Sequence, residues 1–195
     1  MRVLVAVLTT GSRSATFEQC ILSILEQSYI SSIELSILIV ENNSELNQIV
    51  NSSVSKFTNN KKINVIHVLE TKQGIPFARN NALNYAQNNQ YDYLAFIDDD
   101  AYADKNWLNL LCDKAKGYDV VAGPQKAIFP KGTHKYFNLA RLYHERKLRD
   151  GVMVKWAATN NILINVNTLK KLNLSFNESL IHGGEDKELF IFSTV

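Results

Sequence analysis

The first 125 residues alternate between short apolar runs and segments whose apolar side chains recur at helical spacing. The runs are typical of strands that are covered on both faces of a sheet, and they occur at 2–8, 33–40, 63–69, 93–97 and 119–123. Between them, apolar residues recur every three or four positions, as expected for amphipathic helices. Strands separated by helices of this length form βαβ units, so the pattern predicts an α/β fold with a mainly parallel sheet and helices on both faces.

Composition limits the class of protein without naming a partner. The chain has 195 residues, of which 46% are hydrophobic and 21% are charged, with a net charge of +2. These values are ordinary for a globular protein, and the length suits a single domain over 1–195. Cys20 and Cys112 lie within apolar helical patterns and are predicted to be buried thiols, which fits a reducing compartment.

The amino terminus, "MRVLVAVLTTGSR", is interpreted as a buried strand because no small-residue cleavage site follows its apolar run. No apolar run approaches the roughly 20 residues that are needed to span a bilayer. We therefore expect a soluble, cytoplasmic protein. Peripheral association with the inner face of a membrane stays open.

The pattern changes after residue 125. Eight Lys or Arg residues lie within 126–155, and we interpret them as a solvated face, with a phosphorylated lipid or an acidic glycan as the alternative ligand. No second feature supports nucleic-acid binding, which we do not expect. Residues 154–166 predict a strand or a strand pair, and a short capped helix follows. The final helix, "EDKELFIF", stops within three turns, so a longer protein and a minimal domain both remain open.

Polar clusters follow three of the predicted strands directly. They are Thr9-Thr10, Glu41-Asn42-Asn43 and Asp98-Asp99-Asp100. In an open parallel sheet, ligands bind outside the carboxyl ends of the strands. We therefore expect these clusters to form one site.

Three consecutive aspartates at the end of a buried strand repel one another, and each raises the pKa of the others. A divalent cation such as Mg²⁺ or Mn²⁺ would offset this repulsion, because both ions prefer carboxylate oxygens. Diphosphate oxygens would then fill its remaining positions. The alternative is a solvated acidic turn that caps a helix.

A second cluster, "HGGEDKELF", spans residues 182–190. Its two glycines allow the backbone to approach a ligand closely. Glu185 and Asp186 then stand at a helix amino terminus, where the helix dipole favours negative charge. Helix capping is one interpretation, and a general base beside a bound substrate is the other.

The chain resembles a GT-A-fold glycosyltransferase, most closely the large inverting family 2. The resemblance extends from residue 3 to the end, and five segments carry it in order: "VAVLTTGSR" (5–13), "LIVENNS" (38–44), "GIPFARNNAL" (74–83), "FIDDDA" (96–101) and "HGGEDKEL" (182–189). The fourth matches the Asp-x-Asp metal motif of the family, and the fifth resembles the Glu-Asp motif that carries its catalytic base. The resemblance implies a nucleotide-binding half at 1–125 and an acceptor-binding half at 126–195.

The resemblance also implies a donor site for a nucleotide-sugar, with UDP as the expected nucleotide. Thr9 and Glu41 would contact the base. Thr10, Arg13 and Asn43 lie in the same two motifs and would complete the nucleotide-binding set.

Arg79 would lie near the nucleotide, at its phosphates, a task that suits a guanidinium. Asp98 would contact the ribose or sugar and share Mn²⁺ or Mg²⁺ with Asp100. Asp99 would be either a supporting ligand of the nucleotide site or a bystander.

For the reaction, the resemblance implies that Asp186 deprotonates the acceptor hydroxyl and that Glu185 helps to hold the acceptor. The acceptor would be a glycan or a lipid-linked molecule. The metal would stabilise the departing diphosphate, and a single displacement would invert the anomeric centre.

The sequence departs from the family pattern at several positions. Glu41 stands where the family usually has Asp, and Gly11-Ser12 stand where an aromatic residue and Asn are frequent. Residues 157–161 correspond to the floor of the donor-sugar site, where Asn160 or Asn161 would bind a hydroxyl or would simply break a strand. Trp156 is expected in the core, with stacking on an acceptor sugar as the alternative.

Two other functions remain as alternatives. One is a non-catalytic GT-A-like binding module. The other, a nucleotidyltransferase, is disfavoured because "LTTGSR" has only one glycine and one arginine after the first strand. A dinucleotide-dependent oxidoreductase is disfavoured further, because no Gly-x-Gly-x-x-Gly follows that strand.

Overall fold

The computed structural model of the chain describes residues 1–28, 32–43, 47–60, 62–139 and 149–192. These residues form six strands and seven helices, in the following order along the chain: β1 (Arg2–Thr9), α1 (Ser14–Leu25), β2 (Glu34–Glu41), α2 (Asn47–Ser55), β3 (Asn64–Leu69), α3 (Ile75–Asn88), β4 (Tyr93–Asp98), α4 (Trp107–Lys114), β5 (Val120–Ala122), α5 (Lys135–Leu139), β6 (Asn161–Asn165), α6 (Val166–Lys171) and α7 (Glu185–Phe192).

The six strands form one sheet in the order β3-β2-β1-β4-β6-β5. Strands β1 to β4 are parallel, whereas β6 runs antiparallel to both of its neighbours. The strand order reverses beside β1, because β2 lies on one side of it and β4 on the other. Such a reversal opens a crevice at the carboxyl ends of the two central strands, which is where α/β proteins bind ligands.

The five apolar runs of the first half form strands whose ends lie within one residue of the predicted ones, and the α/β prediction is confirmed. Helices cover both faces of the sheet. On one face, α1, α2 and α4 pack on the odd-numbered residues of β1, such as Val3 and Val5. On the other, α3, α6 and α7 pack on Leu4 and Ala6. Because both faces are buried, the strands need no polar alternation.

The second half differs from the prediction in two places and agrees with it in a third. Within 154–166, only Asn161–Asn165 forms a strand. Trp156 was predicted to be in the core but is 41% exposed, since the segment 152–156 packs on neither hydrophobic core. Helix α6 is capped by Asn165, whose side-chain oxygen accepts from the Asn167 N–H at 2.9 Å.

Helix α4 begins after a turn that Asp104 organises. Aspartate favours the cap position of helices, but α4 begins at Trp107 with Asn106 in the cap position. Asp104 instead organises the preceding turn: its carbonyl accepts from the Trp107 N–H at 2.9 Å, and its carboxylate accepts from the Asn106 N–H at 3.2 Å.

Asn161 locks the start of β6 to its surroundings. Its amide donates to the Pro124 carbonyl at 2.7 Å and accepts from the Trp107 indole N–H at 2.8 Å. A Cβ at Gly123 would lie 2.5 Å from this amide, so only glycine fits there. The polar residue that the sequence suggested as a strand break therefore holds β6 against Pro124 and Trp107.

The two thiols behave as predicted. Cys20 and Cys112 are free and buried, and burial raises the pKa of Cys112 to about 11. Burial also raises the pKa of Cys20. Among the helices of the described ranges, none has the length and apolarity to cross a membrane.

The packing of Phe176 gives a test of the fold. Its ring is 1% exposed and meets Phe96 edge to face with centroids 6.0 Å apart. We expect Phe176→Ala to lower the free energy of unfolding by about 3–5 kcal/mol, measured as a shift of the urea midpoint. Phe137→Ala, at a ring that is 52% exposed, should change it by less than about 0.5 kcal/mol. Equal effects would contradict the assignment of Phe176 to the core.

Candidate functional site

The carboxyl ends of β1, β2 and β4 bring the three polar clusters to one edge of the sheet. In the strand register, Thr9 lies opposite Glu41 and Leu8 lies opposite Asp98. Thr9 therefore stands between the acid that ends β2 and the aspartates that end β4. This is the arrangement that the motif positions predicted.

The aspartate triplet divides between the two faces of the sheet. In β4, Leu94 and Phe96 pack on the side of α3, whereas Ile97 packs on the side of α1. Since side chains alternate along a strand, Asp98 continues the α3 side. Asp99 follows Ile97 in phase and lies on the α1 side.

Asp99 is an internal support of the loop that follows β1. It is 1% exposed, accepts a hydrogen bond from the Thr9 hydroxyl at 2.7 Å, and pairs with the Arg13 guanidinium at 2.8 Å. The Gly11 N–H donates to the same Thr9 oxygen at 3.1 Å. Burial raises the pKa of Asp99, while Thr9 and Arg13 act against that rise. The carboxylate thus fastens the loop to the end of β4.

Asp98 and Asp100 are the solvent-accessible members of the triplet. The Asp100 side chain is 45% exposed and pairs with Arg13 at 2.5 Å. No hydrogen bond joins the Asp98 carboxylate to any described residue. Although Asp98 is partly open to solvent, the surrounding protein displaces enough water to raise its pKa, and Asp100 and Asp99 add to the rise. Arg79 and Arg13 act in the opposite direction.

The donor set at this edge fits a hard divalent cation. Within the described ranges, no three His, Cys, Asp or Glu side chains lie together as a metal cluster. Asp98 and Asp100 nevertheless supply two accessible carboxylates. Magnesium-type sites in proteins commonly use one or two carboxylates and take the remaining ligands from substrate phosphates and water. The residues therefore suit a cation that arrives with a diphosphate.

Arg79 joins the site to the amino terminus of α7. Its guanidinium donates to the Glu185 carboxylate, and it lies over the Phe176 ring at 5.6 Å. Burial lowers the pKa of Arg79, and the charges of Glu185, Asp186 and Asp98 oppose that effect. The pair thus couples the Glu-Asp motif to the end of β4. Glu185 is 3% exposed, and its Oε2 has no hydrogen-bond partner among the described residues.

Asp186 is the more accessible acid of this motif. It is partly exposed, and its Oδ1 accepts from the Lys187 N–H at 2.7 Å. Gly183 and Gly184 precede it with φ of 117° and 95°, a region that other residues rarely adopt. This turn starts α7 with three acidic residues in its first turn, Glu185, Asp186 and Glu188, where the helix dipole stabilises negative charge.

Glu41 is the most deeply buried acid of the site. It has 0% exposure, and its Oε2 lies 2.9 Å from Nε2 of His67. Its Oε1 is buried and has no hydrogen-bond partner among the described residues. A carboxylate oxygen only accepts hydrogen bonds when ionised, so this atom suits an N–H donor.

Asn42 holds together the loops beyond β2 and β3. Its backbone N–H donates to the Thr9 carbonyl at 2.9 Å. Its side-chain amide donates to the carbonyls of Glu70 at 3.1 Å and Lys72 at 2.7 Å, and it accepts from the Gly74 N–H at 2.8 Å. The loop that opens α3 is therefore tied to the end of β2.

The other predicted nucleotide-site residues lie around these loops. Asn43 is partly exposed beside Asn42. Thr10 is exposed, and its hydroxyl lies 2.9 Å from that of Ser12. In the predicted sugar site, Asn160 forms a reciprocal amide pair with Gln125, while Asn161 is committed to Pro124 and Trp107.

Sequence reasoning missed His67 and the clamp formed by Asn42. In β3, His67 is a polar residue with two apolar residues before it and two after it. A lone polar residue within an apolar strand could have indicated a buried polar contact. Asn42 lay within a recognised motif, but the motif itself drew attention to Glu41 and Asn43.

Two concave surfaces of the described chain lie away from the aspartates. A cleft of about 430 Å³ is bounded by Asn80, the segment 174–178 and Glu188. A neighbouring one of about 330 Å³ runs along the outer side of α3. We place the chemistry at the strand ends instead, because Asp98, Asp99 and Arg79, whose pKa values are shifted, converge there.

Comparison with known proteins identifies the family. The model of "Glycosyl transferase family 2" matches residues 5–172. The chain belongs to glycosyl transferase family 2. No curated protein gave a match.

Solved structures of several glycosyltransferases share the fold of this family 2 chain. TarS 1–349 of S. aureus has 19% sequence identity and a TM-score of 0.71 over 99% of this chain and 55% of its own. The structure of its complex with UDP-GlcNAc has 20% sequence identity and a TM-score of 0.66. The match covers 99% of this chain and 53% of that one. The mannosyltransferase PcManGT from Pyrobaculum calidifontis, in complex with GDP-Man and Mn²⁺, has 18% sequence identity and a TM-score of 0.63. The match covers 96% of this chain and 50% of PcManGT.

These likenesses confirm the GT-A fold that the sequence motifs predicted. The present chain spans about half of the length of the solved structures that it matches. At this level of identity, the likeness concerns the fold alone.

The pair between His67 and Glu41 can be tested by stability. We expect His67→Ala to lower the free energy of unfolding by about 2–3 kcal/mol. The reason is that the fully buried carboxylate of Glu41 would lose its hydrogen bond with Nε2 of His67. His67→Gln retains an N–H donor on a side chain of similar reach and should restore part of that loss. Urea unfolding at neutral pH measures both variants. Equal losses would show that His67 acts through packing alone.

Proposed function

We propose that the chain is the donor-binding domain of an inverting glycosyltransferase. It takes a nucleotide-sugar, with UDP as the expected nucleotide, and transfers the sugar to a glycan or lipid-linked acceptor with the help of Mn²⁺ or Mg²⁺. Membership of glycosyl transferase family 2 and the complexes of relatives with UDP-GlcNAc and with GDP-Man and Mn²⁺ support this proposal.

One observation carries it: the residues of the separate motifs meet at the switch point between β1 and β4. Thr9, Glu41 and the aspartates meet through strand register. The pair of Arg79 with Glu185 then brings the Glu-Asp motif of α7 to the same edge. A donor and an acceptor bound there would lie within reach of one set of acids.

The nucleobase is assigned to the ends of β1 and β2 beside Glu41, because the buried Thr9 hydroxyl is already committed to Asp99 and Gly11 and serves as a support there. When ionised, the buried Oε1 of Glu41, which has no hydrogen-bond partner among the described residues, accepts hydrogen bonds only. It therefore favours a base that offers a ring N–H, as uracil and guanine do, over cytosine, which presents an unprotonated ring nitrogen. The hydrogen bond from His67 fixes the other oxygen of the same carboxylate.

The diphosphate and the metal are assigned to Asp98 and Asp100, with Asp98 also facing the ribose or sugar. When bound, the cation would act as a Lewis acid toward the leaving diphosphate. Arg79 contributes a buried positive charge on the α3 side of Asp98, which suits the phosphates. Asp99 keeps the loop with Thr9 and Arg13 in place.

Asp186 is assigned as the general base, because it is the accessible acid at the start of α7. It would take the proton from the acceptor hydroxyl while that oxygen attacks the anomeric carbon from the side opposite the diphosphate. The bond from the sugar to the diphosphate breaks in the same step, so the configuration inverts. Glu185, which was predicted to hold the acceptor, would do so indirectly, since its carboxylate is paired with Arg79.

Calorimetric titration with UDP, GDP and CDP, each with and without Mn²⁺, tests the donor site. We expect saturable binding of UDP that is strengthened by Mn²⁺, and weaker binding of CDP. GDP binding tighter than UDP binding would reassign the donor class. No binding of any nucleotide would contradict the proposed donor site.

Asp100→Asn tests the metal assignment. We expect it to weaken Mn²⁺-dependent UDP binding by at least about tenfold, since even indirect supports of metal ligands have effects of that size. Asp113→Asn is the matched control, because it removes an equivalent charge from an exposed residue of α4. Unchanged titration of UDP with Mn²⁺ in Asp100→Asn would remove Asp100 from the metal site.

Asp186→Asn tests the base and separates an enzyme from a non-catalytic binding module. We expect it to leave the Kd for UDP and Mn²⁺ unchanged and to lower transfer by about 100-fold or more. UDP release from UDP-GlcNAc, with and without a panel of glycan acceptors, is the measurement. Transfer at the wild-type rate would place the base elsewhere. A wild-type chain that binds UDP without acceptor-dependent release would favour the binding module.

A further inference from the structure

Arg13 is the residue that already supplies positive charge to the aspartate triplet. Its guanidinium pairs with Asp99 at 2.8 Å and with Asp100 at 2.5 Å. One positive charge from another element thus contacts two of the three adjacent carboxylates and offsets part of their repulsion. A planar guanidinium with several N–H donors is suited to bridge two acids in this way.

The position of Arg13 in the chain supports a dedicated role. It occupies the cap position of α1 and makes no capping hydrogen bond with its side chain. Helix caps favour Ser, Thr, Asp or Asn, and a positive charge at this end opposes the helix dipole. Arginine at this position is therefore unfavourable for the stability of α1. The ion pairs of Arg13 with Asp99 and Asp100 explain its presence there.

The two ion pairs of Arg13 differ in exposure. Asp99 has a side chain that is 2% exposed, whereas that of Asp100 is 45% exposed. Exposed ion pairs are weak and are easily exchanged for other partners, while breaking a buried one leaves an uncompensated charge. Arg13 can therefore release Asp100 and remain attached through Asp99.

We propose that Arg13 is a resident counter-ion that competes with the divalent cation for Asp100 and turns to the diphosphate when the cation binds. This inference rests on the proposed function, because it assigns the metal to Asp98 and Asp100. Without nucleotide, the cation must displace Arg13 and gains no phosphate ligands. With nucleotide, the displaced guanidinium acquires the diphosphate as its new partner. Metal and nucleotide consequently strengthen the binding of each other, and the coupling is reciprocal.

Direct titration of Mn²⁺, followed by the paramagnetic resonance of the free ion, tests the proposal without enzymatic activity. It is made on wild type, Arg13→Gln and Arg13→Lys, each alone and with saturating UDP. For Mn²⁺ alone, we expect Arg13→Gln to bind up to about fivefold more tightly than wild type, the range for loss of one exposed competing pair. We also expect the gain in Mn²⁺ affinity on adding UDP to be smaller in this variant than in wild type.

Two variants control for charge and for folding. Lys116→Gln removes one positive charge from an exposed position after α4, and it should leave Mn²⁺ binding as in wild type. Arg13→Lys keeps a cation beside Asp99 but loses the planar fork, so we expect its Mn²⁺ affinity to lie between those of wild type and Arg13→Gln. It remains informative if Arg13→Gln fails to fold.

The outcomes separate this inference from the proposed function. Equal or weaker Mn²⁺ binding by both Arg13 variants, with UDP-dependent binding intact in wild type, would overturn the role of Arg13 and leave the donor site standing. No Mn²⁺ binding by any of the proteins, even with UDP, would overturn both the counter-ion and the metal assignment. An Arg13→Gln variant that binds Mn²⁺ alone while wild type does not would support the proposal in its strongest form.

Discussion

The parallel pairing of β1 with both β2 and β4 is the constraint on which the site depends. It sets Thr9 opposite Glu41 and Leu8 opposite Asp98 through backbone hydrogen bonds. Side chains alternate along a strand, so a shift of one residue would turn each of these groups to the opposite face of the sheet. The apolar residues that fill the two cores hold this register, because they would be displaced by the same shift. Core packing and site geometry are therefore fixed by one interaction.

Pairs of an acid with a basic side chain tie the remaining parts of the site to this frame. Each of the three buried acids at the edge meets a basic residue from a different element. Glu41 meets His67 through a hydrogen bond, whereas Asp99 and Glu185 form ion pairs with Arg13 and Arg79. Buried ion pairs contribute little net stability compared with apolar packing, but the loss of one partner is strongly destabilising. Such pairs suit a site of this kind, since they specify which loops must meet.

The sequence predicts the strands of the first half to within one residue, because each is an apolar run bounded by polar residues. It also predicts which residue types gather at the strand ends, since carboxyl ends of parallel strands share an edge. It does not predict that β6 lies antiparallel between β4 and β5, because three apolar residues in a strand of five carry no information about strand direction. Nor does it predict the partner of Arg13 or of Glu41. Those pairs join residues that are far apart in the chain, as with Glu41 and His67, which are 26 positions apart, and they depend on the assembled sheet.

The reversed direction of β6 affects how this fold can vary. Asn161, its first residue, lies beside Ile97 near the carboxyl end of β4. Because β6 is antiparallel, the segment that precedes it lies at the crevice. For the other strands, the loop that follows the strand lies there. The loops after β1 to β4 lead into helices that cover the sheet, so changes in the length of those loops disturb the packing of a helix. The segment before β6 leads into no such helix, and its residues around Val154 and Trp156 are already exposed. Evolution can lengthen or exchange it and so alter what the crevice accepts, while the sheet and its helices stay as they are.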